Sequence, residues 1–206
     1  MRKLALLTAL LTAFSAMAFG QTAEEIVDRM NQEINKGEKL GTSLVFTLKM
    51  PIVGEVSSRI KALDDYSRAD TQMKGESVIL WVHDNTSWAY TSSKNEIVID
   101  NVKKDSQSNN QEDLIKDITD GYNVSLAGET ADTWQILCKK SKGNKDKDDP
   151  GKMDLVVSKK NYMPVSLKAK VKGITITLHD FSFGVKKEEV TFDPSAYPGL
   201  TITDKR

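Results

Sequence analysis

The chain has 206 residues, and its 29 Lys and Arg balance 29 Asp and Glu, for a formal net charge of zero. Without a basic surplus it cannot neutralise a phosphate backbone, which argues against a nucleic-acid binder. A single cysteine, Cys138, leaves no internal disulfide framework.

Met1-Arg2-Lys3 is followed by an apolar run from Leu4 to Phe14 and by Ala16-Met17-Ala18, the pattern of a cleavable secretory leader. The run breaks at Thr12 and Ser15, short of the roughly 20 apolar residues a spanning helix needs. No cysteine sits near the cleavage region to carry a lipid. Residues 1–20 therefore read as a signal peptide, and 21–206 as one soluble domain exported to the periplasm. That length suffices for a single sizeable core.

Thr22 and Glu25 form a capping-box pair, and Ile26, Val27, Met30 and Ile34 recur at helical spacing up to Gly37. After Gly41 the period switches to two. Leu44, Phe46, Leu48 and Met50 alternate with polar residues, Val45 being the exception, until Pro51 to Gly54 turns the chain. Val56, Ser58, Ile60 and Ala62 alternate on the returning strand. Val78 to Val82 is apolar on both faces and predicts a central, doubly covered strand. Asp84-Asn85 is a turn, and Trp88 and Tyr90 open the next strand, followed by another from Glu96 to Asp100.

A helical insert is expected from Asn110 to Gly121, with Leu114, Ile115 and Ile118 as its apolar face. Further strands are expected at Tyr122–Leu126, Thr133–Lys139, Met153–Ser158, Val165–Val171, Ile174–Leu178 and Val190–Phe192, with a Lys172-Gly173 hairpin turn. Strands at this spacing suggest a meander or barrel. Lys145 to Asp149 reads as a solvated loop.

The chain contains no nucleophile elbow, no H-E-x-x-H, no phosphate-binding loop and no dinucleotide turn, so no enzyme class is indicated. Asp146, Asp148 and Asp149 miss the spacing of a calcium loop, because Pro150 and Val157 occupy ligand positions. With only His83 and His179, each outside any ligand motif, neither a metal site nor a cofactor is expected. Cys138 shares a strand face with Trp134 and Ile136, as a small core residue would. What remains is a surplus of apolar strand faces. A curled sheet carrying them could enclose a hydrophobic ligand.

Ser77 to Tyr90, with its strand ending in Asp84-Asn85 and its Trp88-Ala89-Tyr90, resembles the periplasmic lipoprotein carrier family LolA of the LolA/LolB superfamily. Val190-Thr191-Phe192-Asp193-Pro194 and Pro198 to Asp204 are similar to that family's closing stretch. The resemblance implies a mainly β chain with few helices, an unclosed, highly curved antiparallel barrel under a helical lid. It implies binding of lipoprotein acyl chains on the concave apolar face, without catalysis, by a monomer. Its implied partners are an inner-membrane ABC-type release complex and an outer-membrane acceptor.

Leu44, Phe46, Leu48, Leu80, Val82, Trp88 and Tyr90 are the candidate cavity residues, and Ile26 and Met30 the candidate lid residues. The family's latch reads K-R-P-x-x-F-x-W. Here Lys61 to Arg68 places Ala62 where the latching Arg belongs, so Arg59 or Arg68 would have to substitute. A protein-binding envelope sensor or adaptor of the same fold is the alternative.

Overall fold

The computed structural model describes residues 21–102 and 118–206. The leader and most of the expected insert, including Leu114 and Ile115, lie outside the described residues.

The described residues open with α1 (Ala23–Glu38), one residue longer than the glycine stop predicted. The capping box forms as its residues require. Thr22 Oγ1 accepts from the Glu25 amide at 3.2 Å, and the Thr22 amide donates to Glu25 Oε2 at 3.1 Å. Glu24 and Glu25 lie at the positive end of the helix dipole and Lys36 at the negative end. Gly37 faces the Phe183 ring, which occupies the place where a Cβ would stand. Gly41, at φ 75°, then swings the chain into the sheet.

Among the described residues eleven strands follow: β1 (Thr42–Met50), β2 (Gly54–Leu63), β3 (Tyr66–Met73), β4 (Glu76–His83), β5 (Thr86–Thr91), β6 (Glu96–Asn101), β7 (Tyr122–Glu129), β8 (Thr133–Lys140), β9 (Lys152–Ser158), β10 (Pro164–Val171) and β11 (Ile174–Phe183). A short α2 (Lys187–Val190) and β12 (Thr201–Asp204) complete the chain. The strands make one curled, unclosed sheet in the order β12-β6-β5-β4-β3-β2-β1-β11-β10-β9-β8-β7. Consecutive strands pair antiparallel from β1 to β6 and from β7 to β11, and β11 returns to pair with β1 and join the two halves. Lys74-Gly75 and Lys172-Gly173 take positive φ at both positions, the turn form that matches strand twist.

Three features depart from the sequence expectation. β3 is an additional strand, overlooked because Arg68, Asp70, Thr71 and Gln72 give it no apolar stripe. Val190–Phe192 is not a strand: α2 ends at Val190, the Glu189 carboxylate caps the Lys186 amide, and Phe192 turns onto the sheet. The last pair breaks the antiparallel rule, since β12 runs parallel to β6, with Thr201 opposite Glu96 and Ile202 opposite Ile97.

Candidate functional site

Pairing assigns every strand side chain to one of two faces, because residues directly opposite each other point the same way. The face bearing α1 includes the row Leu44–Ile60–Ala69–Leu80–Ala89–Val98, running across β1 to β6. On the half formed by β1 and β7 to β11 this face is a closed core. Ile26, Val27, Met30 and Ile34 of α1 pack there against Leu44, Ile136, Cys138, Met153, Leu155, Val157, Leu167 and Leu178. Ile26 and Met30, the two candidate lid residues, are fully buried in this core.

Beyond β2 the same face is only partly covered. Leu80 is 38% exposed and Met73 40%, while Val78, Val82, Ala89 and Val98 are half-buried. The doubly covered β4 anticipated from its sequence is therefore half-open, and only Trp81 on it is buried. Ala69 and Ala89 flank Leu80 on the neighbouring strands. Hydroxyl residues border this apolar row. Ser58, Thr71 and Thr91 stand in the next row on one side, with Ser58 Oγ and Thr71 Oγ1 2.9 Å apart, and Ser67 and Ser87 on the other.

The seven candidate cavity residues do not share one surface. Leu44, Phe46, Leu48, Leu80 and Val82 stand on the α1 face, Leu44 inside the core and Leu80 on the open strip. Trp88 and Tyr90 stand on the opposite face. Trp88 stacks on Phe192 at 5.7 Å, and Tyr90 meets Tyr197 at 5.5 Å. The signal for this split was available, because a two-residue turn at Asp84-Asn85 pairs Trp88 with Trp81, and Leu80 with Ala89.

The opposite face carries a second, smaller core made by the C-terminal segment. Trp81 meets Phe192 at 5.3 Å and Tyr197 at 5.6 Å, edge-on in both cases. Lys61 and Glu189 pair at 2.5 Å and tie α2 to β2, and that ammonium holds the Glu189 carboxyl below its usual range. A cavity of about 180 Å³ remains here, bounded by Tyr66, Trp81, His83, Trp88 and Phe192. That is below the roughly 300 Å³ at which ligand pockets begin, and too small for an acyl chain.

Arg59 and Arg68 are both engaged on the sheet. Arg59 reaches Asp180 at 3.5 Å, and Arg68 binds Asp70 while lying over the Trp81 ring. Register puts both on the face turned away from α1. Arg29 of α1 instead donates to Tyr162 Oη at 3.0 Å, beside the ring that packs on Trp134.

Cys138 lies in the core under α1, and burial, with Asp154 adding to it, pushes its thiol up to about 11 from 9.0. A thiol kept neutral and inaccessible should not be alkylated by iodoacetamide at pH 8 until the protein is unfolded in urea, which mass spectrometry reads directly. From pH 9 to 11 the unfolded chain holds fewer protons than the native one at this site. Stability should therefore fall across that window.

No family model matches this chain, and no curated protein does. Among solved structures it is similar to an uncharacterized conserved protein from Thermus thermophilus, at 17% identity over 89% of this chain and 99% of that one, with a TM-score of 0.45. It is similar to lipoprotein LppX from Mycobacterium tuberculosis, at 11% identity over 76% and 91%, with a TM-score of 0.49. A LolA superfamily protein from Nitrosomonas europaea matches at 10% identity over 85% and 100%, with a TM-score of 0.35.

Proposed function

We propose that this chain is a non-enzymatic carrier that holds a lipoprotein acyl chain, or a comparable hydrophobic ligand, on the uncovered strip of its α1 face. The observation that supports this reading is the row Ile60–Ala69–Leu80–Ala89–Val98, which leads from the closed core toward the β6 side of the sheet with Leu80 open to solvent. A fully buried methylene contributes about 0.8 kcal/mol, and one laid on an open strip contributes less in proportion to the area it covers. The bordering hydroxyls suit a ligand with polar ends. No helix among the described residues is long and apolar enough to cross a membrane. In this reading the protein works in the periplasm, loaded by an inner-membrane ABC-type release complex and unloaded by an outer-membrane acceptor.

Titration with cis-parinaric acid, a fluorescent fatty acid, together with native mass spectrometry of the purified protein, tests the reading. Saturable micromolar binding, or a co-purifying acylated species, is the expected result. No lipid bound in either assay would sink the carrier reading. A crosslinked protein partner in its place would establish the adaptor.

A further inference from the structure

Two adjacent hairpin turns meet at one end of the sheet, on the face turned away from α1. Asp64-Asp65 joins β2 to β3, and Asp84-Asn85 joins β4 to β5. Because β3 and β4 pair with Tyr66 opposite His83, Asp65 from one turn and Asp84 from the other come to flank the same imidazole. His83 Nε2 lies 3.2 Å from Asp65 Oδ2 and 3.7 Å from Asp84 Oδ2. A ligand atom from each of the three can be chosen so that all lie within 4.8 Å of one another.

We propose that Asp65, His83 and Asp84 bind a divalent transition-metal ion. With bonds of about 2.1 Å, neighbouring ligands in a tetrahedral site stand about 3.4 Å apart. The two His83–carboxylate distances bracket that value, so small rotations of two exposed carboxylates complete the set. One imidazole nitrogen with two carboxylates is a donor set for zinc, cobalt, nickel or manganese. Calcium would call for oxygen ligands throughout.

The imidazole is held in place before any ion arrives. Tyr66 stacks on it with ring centroids 3.8 Å apart and planes 12° from parallel, and Lys187 Nζ sits 4.7 Å from the Tyr66 centroid on that ring. A ligand ring fixed by its neighbours loses less freedom on binding.

A second observation comes from the adjoining cavity. Trp81, two residues before His83 on the same strand face, is 2% exposed, and its indole N–H has no hydrogen-bond partner. Trp81 and His83 both line the cavity of about 180 Å³, together with Thr191 and Phe192. A buried donor left unpaired costs roughly 1–3 kcal/mol, which a bound acceptor would recover. Three protein ligands leave coordination positions open for water or a carboxylate.

The test uses tag-free protein stripped with EDTA and titrated with zinc chloride by calorimetry, and with cobalt chloride by visible absorption. One equivalent should bind with micromolar affinity, and cobalt should give the spectrum of mixed nitrogen and oxygen coordination. His83→Ala should abolish binding. Asp65→Asn and Asp84→Asn, which keep side-chain shape and so the fold, should each weaken it by about tenfold or more. His179→Ala, altering the other histidine, should bind as the unmodified protein does. No binding below millimolar metal, or binding retained by His83→Ala, would overturn the proposal. The site and the apolar strip lie on opposite faces, so the outcome is independent of acyl binding.

Discussion

Leu80→Asp should weaken binding of cis-parinaric acid by tenfold or more while leaving the fold intact. Leu80 stands at the middle of the open row, between Ala69 and Ala89, and is already 38% exposed. Removing its methyl groups from a bound chain forfeits about 1.5 kcal/mol or more, which is a factor of ten in affinity. The new carboxylate would also lie against hydrocarbon in the complex, while in the free protein it stays in water, so the change falls on binding and little on folding. Ile52→Asp is the matching control. Ile52 is 97% exposed at the tip of the β1–β2 hairpin, away from the row, and its replacement should leave affinity unchanged. Equal loss in both variants would mean that the assay reads general stickiness and not the strip.

Met30→Ala separates a structural helix from a movable lid. Met30 has no exposed surface and sits in the cluster that joins α1 to β8, β9 and β10. Truncating a fully buried Met to Ala costs about 2–5 kcal/mol through lost transfer energy and the cavity left behind. For a domain of this size that lowers Tm by about 4–20 °C in a thermal melt. A lid that opens in normal operation would respond in the other way, with an almost unchanged Tm and an altered ligand affinity. The burial of Ile26 alongside Met30 favours the large stability loss.

Much of the architecture was legible in the residues. The capping box at Thr22 and Glu25 started α1 where it starts, and the 3.6-residue recurrence of Ile26, Met30 and Ile34 named the face that is buried. Period-two alternation in Leu44 to Met50 and in Val56 to Ala62 located β1 and β2 and set their shared face. These signals are local. They depend on backbone geometry within one element, and a short stretch of chain carries all of it. β3 escaped for the same reason, since a strand whose side chains are small or polar on both faces has no stripe to read.

Which half of the sheet is covered was decided only by the tertiary structure. The pairing of β11 with β1 brings β7 to β11 under the helix, and residues more than a hundred positions apart make that contact. Alternation places Trp81 and Trp88 on the other face, and the C-terminal segment is what covers them there. The meeting of Asp65, His83 and Asp84 likewise follows from the β3–β4 register, because a side chain's partners across strands depend on which strands pair. Alternation settles which residues share a face, but non-local pairing and chain closure settle what lies against that face.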